Sequence, residues 1–251
     1  MCIRDRYTTG LVERNTKNHC SELSEFGKII LRYDPFMTRI GTWWLIHATS
    51  MVTRMDISLR WFFSFQRPFM FTRAKLIEDL NQDLEISKGK KKPSLKSVQR
   101  EISLVLKSYS VDIPIPICDP EDNLSSPLQR LNLIHHKTAT DHFERNKPNE
   151  VPPESLGICL SYQNLDKSFE SEKEKVHSDS LDILKLSSLL GQNFESILDL
   201  VELGQKHLGS NKLKVQNLAG ERVIQYENLT NSDWAQLYYD RLGLNSSGAD
   251  L

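Results

Sequence analysis

The sequence predicts a mainly α-helical fold with small β-hairpins, and three observations carry that prediction. Two amphipathic helical patterns, over residues 72–86 and 94–109, each start at a Ser or Thr cap. Two further runs, 41–52 and 58–65, are apolar on nearly every side, as helices buried on several faces are. Ala219-Gly220-Glu221 separates two short strand-like runs, which is a hairpin signal. At 251 residues with 39% hydrophobic content, the chain can bury a core as one large domain or two small ones. The pattern divides into a winged-helix or helix-turn-helix-like module over 10–134, a loop-rich linker over 135–178, and a smaller helix–hairpin–helix module over 179–245.

Residues 1–9, MCIRDRYTT, show no periodicity, cap or turn logic that connects them to the chain from Gly10 onward. They resemble a translated sequencing-library adapter, which places them outside the fold as a non-native leader. Residues 18–35 predict a short helix and then an apolar run, capped by Ser21 or Ser24 and stopped by Asp34-Pro35. The runs 41–52 and 58–65 hold three of the four tryptophans, so the main core is expected there. Thr72 caps a helix with Leu76, Ile77, Leu80 and Leu84 on one face, ending at Ser87-Lys88-Gly89.

Ser94 caps the next helix. On a helical wheel Leu95, Val98, Ile102, Val105, Leu106 and Tyr109 fall within an arc of roughly 100°, and Lys96, Arg100, Ser103 and Lys107 within another of roughly 60°. Ile113-Pro114-Ile115-Pro116 cannot continue a helix and ends the module. Asp119, Glu121 and Asp122 read as the acidic start of a helix. Order resumes with helices over 179–190 and 193–208, Gly209 as a stop, the hairpin, and a last helix over 232–242 capped by Asn231.

The chain holds no Gly-rich phosphate loop, no Gly-x-Ser-x-Gly elbow and no His-Glu-x-x-His, so it reads as non-enzymatic. Cys2, Cys20, Cys118 and Cys159 are too scattered for zinc or a disulfide framework, and neither metal nor cofactor is expected. His47 reads as a core imidazole satisfied by a backbone carbonyl rather than a catalytic base. His135, His136, Asp141 and His142 read as exposed loop residues rather than ligands. No membrane span or secretory leader is visible, so the expected location is the cytoplasm.

Charge supplies the one candidate site. Net charge is −1, yet residues 88–107 hold seven basic side chains against the single acid Glu101. Lys90, Lys91, Lys92, Lys96, Arg100 and Lys107 are the candidate phosphate contacts, with Ser94 and Gln99 as polar contributors. Their charge gathers at a helix N-terminus, where free N–H groups and the dipole favour anions. The expected partner is double-stranded DNA, and the alternative is an acidic protein partner meeting the same basic helix.

Several stretches are similar to a prokaryotic family catalogued as domain of unknown function 4007. They are Thr9-Gly10-Leu11-Val12-Glu13, Leu23-Ser24-Glu25-Phe26-Gly27-Lys28-Ile29-Ile30 with Tyr33-Asp34-Pro35, and Gly41-Thr42-Trp43-Trp44-Leu45-Ile46-His47. Trp61-Phe62-Phe63, Phe71-Thr72-Arg73, Ser97-Val98-Gln99-Arg100-Glu101-Ile102, Ser126-Pro127-Leu128-Gln129-Arg130-Leu131, Ala219-Gly220 and Leu237-Tyr238-Tyr239 continue the match. Members of that family begin with a further helical segment and an Arg/His-containing motif, so the resemblance implies an N-terminally truncated chain. It also implies association with DNA phosphorothioation and phage-defence systems, with other defence proteins as partners. The function expected is therefore that of a DNA-binding or accessory factor.

Overall fold

The computed structural model describes residues 9–14, 20–52, 57–64, 69–86, 93–113, 126–147, 150–167, 186–218 and 221–244. The chain is a mixed α/β protein of helices and small sheets, and it forms two compact units. One comprises Met1–Asp56 with Glu150–Leu251; the other is Ile57–Asn149. Among the described residues no helix is long and apolar enough to cross a membrane.

The first unit opens with an antiparallel pair, β1 (Val12–Arg14) and β2 (Ser21–Leu23), in register Val12↔Leu23. Helix α1 (Glu25–Tyr33) follows, with Ser24 accepting the Gly27 N–H as its cap. Asp34 ends α1 and prepares the next helix. Its buried carboxylate accepts from the backbone N–H groups of Thr38 and Arg39 and from the Thr42 hydroxyl. Burial pushes that carboxyl up, but these hydrogen bonds outweigh it and hold the group below its ordinary range.

Helix α2 (Ile40–Val52) is buried along almost its whole surface, including Trp44, Leu45, Ile46, Ala48 and Met51. It packs on α6 (Pro153–Lys167), whose Leu156, Ile158, Cys159 and Leu160 are also buried. A helical segment at 186–190, α7 (Phe194–Leu208) and the hairpin of β7 (Leu213–Leu218) and β8 (Glu221–Tyr226) lead to α8 (Asn231–Arg241). Asn193 caps α7 and Gly209, at φ 95°, terminates it. The cap of α8 is Thr230, one residue before the expected Asn231, because Thr230 and Asp233 form a reciprocal capping box.

Gly157 of α6 lies against the indole of Trp234, so closely that a Cβ there would overlap the ring. Trp234 is fully buried and fixed by an Nε1–H bond to Ser161 Oγ at 3.0 Å, so the ring has nowhere to retreat. Gly157→Ala is therefore expected to destabilise the chain by about 1–3 kcal/mol in a denaturant titration, although alanine alone favours helix. An unchanged or raised midpoint would contradict this packing.

The second unit holds α3 (Ile57–Ser64), β3 (Met70–Phe71), α4 (Arg73–Ile86), α5 (Leu95–Tyr109), β4 (Ser110–Ile113), a 3₁₀ turn (Pro127–Leu131), β5 (Ile134–Lys137) and β6 (His142–Arg145). Its sheet runs β3–β6–β5–β4, with β4 and β5 parallel and the other pairs antiparallel. The core is aromatic: Phe71 stacks on Phe143 at 5.8 Å, Phe62 meets Phe63 and Phe71 edge-on, and Phe63 meets Tyr109 at 5.0 Å. Trp61 Nε1–H donates to Asp83 at 2.6 Å and thereby ties α3 to α4.

Two expectations change. The segment over 135–178, read as loop-rich, carries β5, β6 and α6; the polar residues of 135–137 and of His142, Glu144 and Arg145 sit at half-buried strand positions, and Glu154, Ser155 and Ser161 are buried on α6. The runs 41–52 and 58–65, expected to build one core, belong to different units. Residues 1–8, 114–125 and 168–185 lie outside the described residues, so the leader before Thr9, the acidic turn and most of the helix expected over 179–190 fall there too.

Candidate nucleic-acid interface

Helix α5 takes its form from two periodic stripes. Val98, Ile102, Val105, Leu106 and Tyr109 are buried on one side, so the remaining side is forced toward water. At its start Ser94 has extended backbone (φ −67°, ψ 152°) and its hydroxyl accepts the Ser97 N–H at 3.2 Å. At its end the Ser110 N–H bonds back to Leu106, and the Gln129 side chain donates to the Lys107 carbonyl at 3.1 Å. The 3₁₀ turn thus braces the C-terminal end of the helix.

Of the expected site residues, Ser94, Lys96, Gln99, Arg100 and Lys107 are all exposed on this one helix. No ion pair among the described residues engages Lys96, Arg100 or Lys107. Lys90, Lys91 and Lys92 lie outside the described residues. Leu95 departs from the expected apolar stripe and is 54% exposed, because as the first helical residue it projects past the end of the packed face. Leu104, which the apolar arc does not include, is 41% exposed beside the basic stripe.

The hairpin β5–β6 closes through a turn at 138–141, with Asp141 at φ 51°. His136 is held there by two carboxylates: Nδ1 is 2.7 Å from Asp112 and Nε2 is 3.0 Å from Asp141, and the ring stacks on Phe143 at 4.5 Å. Partial burial pulls its pKa down, but the hydrogen bonds and charges of Asp112 and Asp141 outweigh that and hold it above its ordinary value. In its protonated form the ring donates through both nitrogens, one to each carboxylate. His135 pairs with Asn132 and His142 with the Thr140 carbonyl. Among the described residues no group of three or more His, Cys, Asp or Glu is arranged to hold a metal ion. The triad escaped sequence reading because Asp112 meets His136 only through the parallel β4–β5 pairing.

His47 is fully buried in the other unit, as expected. Its Nε2–H donates to the Leu189 carbonyl at 2.8 Å, and Trp44 meets it edge-on at 5.5 Å.

The model of the family described as "Protein of unknown function (DUF4007)" matches residues 6–239. The chain belongs to that family. Its fold is similar to that of two solved structures, an SspB crystal structure (TM-score 0.71) and a magnesium ion-bound SspB crystal structure (TM-score 0.68). Each is 15% identical and covers 98% of this DUF4007 member; the chain in turn covers 76% and 75% of theirs. Comparison with curated protein sequences gives no match.

Proposed function

We propose that this DUF4007 member is a cytoplasmic, non-enzymatic DNA-binding accessory factor of a DNA-modification or phage-defence system, and that α5 is its duplex-facing helix. The observation that carries the reading is the outward face of α5, where Lys96, Arg100 and Lys107 stand exposed and free of ion pairs with the described acids. The order α3, β3, α4, α5, β4, 3₁₀ turn, β5, β6, with the sheet β3–β6–β5 extended by the parallel strand β4, supports a winged-helix reading in which β5–β6 is the wing and α5 the recognition helix. The DNA phosphorothioation association implied by the family resemblance, together with the SspB-like fold, agrees with a defence-system role. The acidic-partner alternative predicts instead that these cations meet carboxylates.

Binding to duplex DNA should fall steeply with salt, each neutralised phosphate adding roughly −0.9 to the log–log slope. Replacing Lys91, Lys92 and Lys96 together by alanine is expected to make the slope shallower by about 2–3 and to weaken binding across all sequences alike. A gel-shift salt titration checks this; unchanged affinity and slope would reject the assignment.

A further inference from the structure

The outward face of α5 carries more than charge. Lys96 and Lys107 lie eleven residues apart on one stripe, which is about 16 Å along a helix axis. The major groove of B-form DNA is about 12 Å wide, so a helix lodged across it brings those two ammonium groups to the phosphate strands on either side. The exposed residues between them then face the groove floor. They include Gln99 and Arg100, both exposed, while the Ser103 hydroxyl is turned back onto the Gln99 carbonyl at 2.8 Å.

Arg and Gln are the side chains whose paired donors and acceptors match guanine O6/N7 and adenine N6/N7. Leu104, on the other side of the basic stripe, adds to that reading. An apolar side chain, 41% exposed beside a cationic stripe, offers nothing to a phosphate, whereas a thymine 5-methyl would take it out of water. We infer that α5 reads base sequence, with Gln99, Arg100 and Leu104 as specificity-determining residues and Lys96 and Lys107 as the flanking phosphate contacts. This rests on the DNA-binding reading above.

The test is selection of bound duplexes from a randomised pool by the full chain, followed by affinity measurements on the selected site and on an unrelated duplex. The pool is expected to converge on a short site. Arg100→Ala should weaken that site tenfold or more and the unrelated duplex much less, while Lys96→Ala weakens both equally. Replacing thymine by uracil in the site should weaken the wild-type chain and leave Leu104→Ala unaffected; the wild-type measurement stands even if a variant folds poorly. A pool that stays random while salt-dependent binding persists would overturn base reading and leave the DNA-binding proposal intact. No binding to any duplex at low salt would overturn both.

Discussion

Replacing Arg241 by methionine is expected to lower the unfolding free energy by about 3–5 kcal/mol. Glu154, at the N-terminal end of α6, is 0% exposed, and its two carboxylate oxygens accept from Arg241 Nε at 2.7 Å and from a terminal guanidinium nitrogen at 3.1 Å. The geometry is a two-point fork, which raises the guanidinium pKa through its hydrogen bonds to Glu154. Removing the arginine strands a carboxylate where water does not reach, and the penalty is that of an unpaired buried charge rather than of a lost contact. The double variant Glu154→Gln with Arg241→Met removes both charges and should recover a large part of the loss. Denaturant titrations of the two variants check the argument; a single variant within about 1 kcal/mol of wild type would show that the pair does not carry this energy.

Acidification should destabilise the first unit through His47. Burial drives its pKa down to about 4, against an ordinary value near 6.5, and the Leu189 carbonyl only partly opposes this. Above pH 6.5 the ring is neutral in both the folded and unfolded chain, and its contribution is fully present. As pH falls from 6.5 to 4 the unfolded chain takes up a proton that the folded chain refuses, so stability falls by up to about 3 kcal/mol, and below 4 the loss levels off. Asp34, held below the ordinary carboxylate range, adds a loss in a more acidic window as pH drops through its folded value. His47→Gln, which keeps a donor for Leu189, should flatten the pH dependence of unfolding between 6.5 and 4 relative to wild type. Parallel curves for the two proteins in that interval would exclude His47 as the titrating group.

Much of the local structure was legible because its causes are local. Ser24, Thr72, Ser94 and Asn193 lie where α1, α4, α5 and α7 begin; a cap needs only its own side chain and an N–H two or three residues on. The two stripes of α5 followed from helical geometry, which fixes what a sequence of period 3.6 must bury. The buried, carbonyl-bonded state of His47 was likewise legible, since a polar group on a helix that is apolar on nearly every side is generally met by such a partner. The exposure of Leu104 was visible on the same wheel, but an isolated leucine outside the apolar arc signals nothing until the neighbouring surface is known to be unpaired.

What the sequence by itself determined is therefore most of the helices, α6 excepted, with the capped starts of α1, α4, α5 and α7 and the outward basic face of α5, because each depends on residues within one or two turns of one another. Only the tertiary structure decided that β4 lies parallel to β5, that His136 joins Asp112 to Asp141, that Glu154 meets Arg241, and that chain before residue 57 and after 149 forms one unit. Those contacts bring together residues 24 to 87 positions apart in most of these cases, and strands of two to six residues carry too few side chains to announce a distant partner.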